Sequence, residues 1–122
     1  MLHSINICIA EDNMTTDYSS LEWKANPGFK GGEGTFYNKM FTDGVNKMMH
    51  GKLETGSSIG YHMHEGSCEM IFILEGTGKV LYDDTVEEVK PGMVHYCPEG
   101  HSHSLINNGS EDLIFYAVVP KQ

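Results

Sequence analysis

The segment Gly60 to Met70, GYHMHEGSCEM, sets His62 and His64 on either side of one methionine and places Glu69 five residues further on. In an extended chain alternate side chains share a face, so the two imidazoles point together and Met63 points away. The EGS segment reverses the chain, and Glu69 on the next strand comes level with the histidines. Two neutral imidazoles and a carboxylate form most of a ligand set for a divalent ion. The stretch PEGHSHSLIN offers the missing imidazole, from His101 or His103. Such a set suits Fe, Mn, Ni, Co or Zn, and affinity order alone does not choose among them. A six-coordinate ion held this way keeps two positions open for water or a bidentate substrate.

These side chains meet only if strands bring them together. From Thr35 onward the chain is a series of short apolar runs broken by Gly, Pro, Asn and Asp. TFYNKMF, KMMHGKLE, GYHMH, CEMIFILE, GKVLY, TVEEV, MVHYC, HSLIN and LIFYAVV read as strands. TDG, TGSS, EGS, GTG, DD, KPG, PEG and NNGSED read as the turns between them. Close, regular spacing of this kind predicts an all-β antiparallel sandwich or barrel, here over residues 35–122. MIFIL is apolar on both faces, so that strand is expected to be covered on both sides, by the second sheet and by an arm or a second subunit.

Residues 1–34 differ. SINICIA aligns Ile5, Ile7 and Ile9 at period two, a half-buried strand in an N-terminal arm. The arm is expected to pair with its own sheet or to reach a partner, because three aligned isoleucines are costly to leave in water. The remainder, EDNMTTDYSSLEWKANPGFKGGEG, is polar and glycine-rich and suggests no element.

At 122 residues the chain holds one hydrophobic core. A formal charge of −9 argues against nucleic acid and anionic membrane as partners. No run approaches membrane-helix length and no secretory leader is read, so a cytoplasmic protein is expected. Three cysteines, Cys8, Cys68 and Cys97, fall in no disulfide or metal spacing and read as reduced thiols. The chain contains no arginine, which disfavours substrates gripped through phosphate, such as sugar nucleotides. The eight methionines read as soft core and interface packing rather than as copper ligands.

Two longer patterns contain the histidines. Gly56, His62, His64, Glu69 and Gly76 are followed, after fifteen intervening residues, by Gly92, Pro98, Gly100, His103 and Asn107. At these ten positions the chain resembles the cupin superfamily, in particular its small single-domain microbial members. The resemblance runs from about Phe41 to Val119 and leaves the arm outside. It implies a double-stranded β-helix, a jelly-roll barrel, with one divalent transition metal inside held by His62, His64, Glu69 and His103. The glycines and Pro98 would form turns, and Asn107 would act from a strand end. Keeping four such side chains inside a barrel with nothing to neutralise them would cost several kcal/mol, which favours metal binding.

Other residues are set beside these. Glu69 is a candidate acid/base as well as a ligand, and His101 is a candidate acid/base at the barrel mouth or else a solvated turn histidine. Tyr61, His50 and Tyr96 are substrate-pocket candidates. The register of His50 and of His95 is not fixed, since a one-residue slip exchanges inside for outside. Cys68, next to Glu69, faces away from the ligands, and Cys97 reads as a small buried thiol. The expectation is a metal-dependent enzyme, of dioxygenase, decarboxylase or isomerase type, acting on a small carboxylate-, catechol- or enol-bearing molecule. A non-catalytic metal-dependent binding or sensing module is the alternative. A homodimer is expected from the two-faced strand, the arm and the small size of the barrel.

Overall fold

The computed structural model describes residues 7–8 and 14–122. Ile5 and Ile9 of the expected N-terminal strand lie outside the described residues. Strand β1 (Ile7–Cys8) pairs in parallel with Met40–Phe41. The other strands are β2 (Lys24–Pro27), β3 (Thr35–Thr42), β4 (Asn46–Leu53), β5 (His62–Met63), β6 (Glu69–Glu75), β7 (Gly78–Tyr82), β8 (Thr85–Val89), β9 (Val94–Cys97), β10 (Ser102–Ile106) and β11 (Leu113–Pro120). They form two sheets. One runs β1-β3-β4-β11-β6-β9 with β2 beside β3, and the other runs β5-β10-β7-β8. Every pairing except that of β1 is antiparallel. The architecture is the expected all-β jelly roll.

Alternation decides which side chains fill the space between the sheets. Along β11, Leu113, Phe115 and Ala117 turn inward, and in β6 Ile71 and Ile73 do the same. With Phe36, Leu53, Val80, Val89 and Leu105 they form one core. Phe36 and Phe115 stack with ring centroids 6.0 Å apart and planes 11° from parallel. Gly51, paired with Phe115 across β4 and β11, makes room for that ring: a Cβ there would run into it.

The motif turns follow from backbone geometry. Gly56, Gly76, Gly92 and Gly100 all have positive φ, and Gly76 also lies against the Asp112 carbonyl, so a side chain there is both strained and blocked. Pro98 opens the turn whose carbonyl accepts from the His101 N–H. Asn107 is fully buried. Its side-chain amide donates to the Leu53 and Glu111 carbonyls, and its Oδ1 accepts from the Gly109 N–H.

Two findings differ from the sequence reading. Residues 24–27, which suggested no element, form β2 as the outer arm of a hairpin closed at Gly28 and Gly34. Pro27 is tolerated because it ends an edge strand. The expected double cover of MIFIL is present on the inner side only, since Phe72 and Leu74 stand exposed in the single chain. The segment before β2 lies elsewhere on that outer face, where Tyr18 and Trp23 pack on His50 and Tyr18 also meets Tyr116. Among the described residues no helix is long and apolar enough to cross a membrane.

Candidate metal centre

The β5–β10 ladder places His103 directly opposite His62. His64 follows immediately, and its N–H and C=O continue the pairing with the His101 carbonyl and the Gly100 N–H. Its side chain therefore returns to the face that carries His62. Glu69 opens β6 opposite Cys97 and enters from the other sheet. One ligand atom from each of His62, His64, Glu69 and His103 lies within 4.8 Å of all the others. Three of these atoms make a near-regular triangle. Nε2 of His64 and Nε2 of His103 are each 3.0 Å from Glu69 Oε1, and the two nitrogens are 3.1 Å apart. Adjacent ligands of an octahedral ion with bonds of about 2.1 Å stand about 3.0 Å apart, so the triangle has the dimensions of one face of such a shell. The three rings are arranged evenly around it, with centroids 4.9–5.1 Å apart.

What the other ring nitrogens do is as informative. Nδ1 of His62 lies 2.7 Å from the Gly60 carbonyl, which can only accept, so that nitrogen carries the proton and Nε2 keeps a free lone pair. Nδ1 of His64 is 2.9 Å from Ser67 Oγ, and Nδ1 of His103 is 3.1 Å from Nε2 of His95. All three imidazoles are thus held from behind with Nε2 turned to a common centre, the arrangement that outer hydrogen bonds give metal-ligating histidines.

His64, Glu69 and His103 are buried, and no lysine pairs with Glu69 among the described residues. Burial would push the Glu69 carboxyl up, but hydrogen bonds from His103 and His64 outweigh it and hold the group at about 2. Burial lowers His62 below the ordinary histidine value, favouring the neutral, ligating form. A buried carboxylate facing three imidazole nitrogens, with no fixed cation to balance it, fits a divalent transition ion. Thiols contribute nothing to this centre. Burial first, and then the Glu69 charge, push Cys97 up to about 12, so it stays protonated, and neither Cys97 nor the buried Cys68 is among the clustered donors.

A cavity of about 390 Å³ adjoins the cluster, and its lining includes His62, His64 and Glu69 together with Phe36, Ile59 and Met49. Residues 49–119 match the family model described as the cupin domain. The chain belongs to the cupin family. This cupin is 45% identical over 69 residues to an oxalate-binding protein of Thermotoga maritima, and the match spans 56% of each chain, about half the length of that relative. Among solved structures, a predicted oxalate decarboxylase from Thermotoga maritima superposes with a TM-score of 0.84 at 30% identity, over 89% of this chain and all of that one. The cupin domain of Schizosaccharomyces pombe Cnp3 superposes with a TM-score of 0.74 over 89% of this chain and 74% of its own, at 14% identity, a likeness of fold alone.

Several residues singled out in the cupin's sequence are not brought to the cavity. Tyr61 and Tyr96 are each more than half exposed and absent from its lining, because each neighbours an inward histidine and the pleat turns neighbours to opposite faces. His50 packs on the outer face among Tyr18, Trp23 and Tyr116. His101 sits in the Pro98 turn rather than on β10, so alternation does not aim it with His103. Its Nδ1 is 2.6 Å from Asp83 Oδ2 and its ring stacks on Tyr82 at the surface. The Asp83 carboxyl is lowered chiefly by that hydrogen bond. Sequence reasoning missed the part played by His95, whose Nδ1 also reaches Glu87 Oε1 at 3.4 Å, and by Ser67. For His95 a signal existed: it is two residues from the inward Cys97 on the same strand, hence on the same face.

Proposed function

We propose that this cupin is a divalent-metal-dependent enzyme acting on a small carboxylate-bearing molecule, with His62, His64, Glu69 and His103 as the ligands. The observation that carries the reading is the buried triangle of His64 Nε2, His103 Nε2 and Glu69 Oε1, backed by outward Nδ1 hydrogen bonds and opening on the cavity. The relatives named for oxalate support a carboxylate as the ligand class. A bound divalent ion would supply Lewis acidity toward the substrate's oxygens. The chain supplies the rest. Gly60, Ser67 and His95 hold the three imidazoles in orientation from their Nδ1 side, and Phe36, Ile59 and Met49 exclude water around the substrate's carbon atoms. Glu69 remains ionised at neutral pH and can accept a proton at a carboxylate oxygen.

A non-catalytic binding module is the second reading. It is favoured by the position of His101, which leaves the cavity without that separate acid/base. Metal-loaded protein given small carboxylates, with calorimetry followed by assays of O₂ uptake and CO₂ release, separates the two. Binding with turnover is the expected result. Binding without any product across Fe²⁺, Mn²⁺, Co²⁺, Ni²⁺ and Zn²⁺ would replace the enzyme with the module. A homodimer belongs to the same reading, its support being Phe72, Val94, Tyr96 and Tyr116 standing exposed on one outer face. Light scattering at micromolar concentration should give twice the chain mass.

A further inference from the structure

The hydrogen bonding behind His103 does not stop at His95. Glu87 of β8 stands beyond it, with Oε1 3.4 Å from His95 Nδ1. The strand register brings a carboxylate there. In the β7–β8 pairing Glu87 lies opposite Val80, and Glu88 lies opposite Lys79. Val80 is fully buried, so Glu87 shares the inner face with Val80 and with buried Val89, while Glu88 takes the outer face. Tyr82, also on the inner face, packs edge-on against His95 with ring centroids 5.7 Å apart at 74°. Glu87 stays half exposed, since β8 is an edge strand. Among the described residues its one ion pair is with His95, and no lysine pairs with it.

Four groups thus stand in series: Glu69, His103, His95 and Glu87, with contacts of 3.0, 3.1 and 3.4 Å. Each neutral imidazole carries one N–H, so two protons serve three contacts. If both point inward, His103 Nε2–H donates to Glu69 and His95 Nε2–H donates to His103. His95 Nδ1 then turns a lone pair on the Glu87 carboxylate, a repulsive contact. If both point outward, His95 Nδ1–H donates to Glu87 and His103 Nδ1–H donates to His95. Only this second arrangement leaves a lone pair on His103 Nε2, where the other three ligand atoms converge. Protons on His103 Nε2 and His95 Nδ1 together would set two lone pairs against each other at 3.1 Å.

We infer that Glu87 is a positioning residue for the metal centre: acting through His95, it directs both hydrogen bonds outward and so leaves His103 Nε2 free to ligate. This rests on the metal-dependent reading above and adds a residue that is neither in the ligand cluster nor in the cavity lining. An inward charge on an edge strand has another use, to discourage pairing with a second sheet. That use needs no imidazole partner, and experiment separates the two.

Two readouts on the full chain test the assignment. One is Co²⁺ affinity, by competition with a chromophoric chelator. The other is NMR of isotope-labelled imidazoles in metal-free protein at about pH 8, where an ordinary histidine is neutral. Glu87→Leu should lower Co²⁺ affinity about tenfold, the lower end of what outer partners of ligating histidines contribute. It should also move His95 toward its Nε2–H form. Glu87→Gln, whose amide oxygen still accepts from Nδ1–H, should recover part of both. With His95→Leu already present, Glu87→Leu should change the affinity little. An equal loss with and without His95 would mean that the carboxylate attracts cations through space, and overturns the proposal. Unchanged affinity and tautomer in Glu87→Leu, with aggregation its one effect, overturns it too and makes Glu87 an edge charge. Either result leaves the metal centre standing. Failure of Mn²⁺, Co²⁺ and Zn²⁺ to bind the unmodified protein overturns the parent reading and this one with it.

Discussion

His50 on β4 and His95 on β9 belong to the same seven-stranded sheet, and the pleat sends them to opposite faces. Inside, His95 has both ring nitrogens engaged, Nε2 with His103 and Nδ1 with Glu87. Outside, His50 is walled in by Tyr18, Trp23 and Tyr116, and its buried Nδ1 has no hydrogen-bond partner. Burial lowers both below the ordinary histidine value, so a shifted titration does not by itself mark a functional site. The partners tell them apart. One imidazole continues a polar network that ends at the ligand cluster, and the other fills an aromatic cushion.

Four measurements would break or sharpen that contrast, beginning with the largest effect. Removing a member of the inner network at its centre, by Glu69→Ala or His103→Ala, should weaken Zn²⁺ or Co²⁺ binding by about 10²–10³-fold, since four ligands share about 10–16 kcal/mol in a tight site. Competition with a chromophoric chelator reads this, and His50→Ala should leave that affinity unmoved. Next, His95→Leu should cost about 10–100-fold in metal affinity and alter the visible spectrum of the Co²⁺ form, with His95→Gln recovering part of the loss. An effect of His95→Leu on melting temperature alone would reduce His95 to packing.

The third concerns pH. His50, His62 and His95 are all depressed in the folded chain, so unfolding takes up protons and the metal-free protein loses stability as pH falls below the ordinary 6.5. Glu69 acts in a lower window. Its contribution is full above the ordinary 4.5 and is lost as pH falls toward about 2. Melting temperature measured on metal-free protein should therefore begin to drop between pH 7 and 5, above the window in which Glu69 acts. The smallest effect is His50→Phe, which removes an unpaired buried polar atom from an aromatic surround. It should hold or raise stability, by about 1 kcal/mol at most, and flatten the early part of that pH curve.

Strand alternation and turn residues made most of the barrel readable before any coordinates, from Thr35 to Val119. The four clustered donors share motif positions whose spacing ties them to β5, β6 and β10. What escaped was what those rules do not encode. Lys24–Pro27 carries no alternation, because an edge strand over a cavity mouth buries little on either side. Lys24, Lys30 and Lys47 line one cavity from three separate segments, a meeting that no local pattern encodes. The inward turn of His95 needed a register, and period-two patterns leave register open until one residue of the strand is anchored. Tyr61 and Tyr96 misled because adjacency in sequence is opposition on a pleated strand.

The buried amide of Asn107 has a consequence for motion. It ties the end of β4, the loop before β11 and its own strand end, while its backbone receives the Gly56 N–H and donates to the Ser57 carbonyl. None of these loops can swing away without releasing the rest. Deuterium should therefore enter the Gly56, Asn107 and Gly109 amides at one shared slow rate, as a single opening unit rather than three fraying turns.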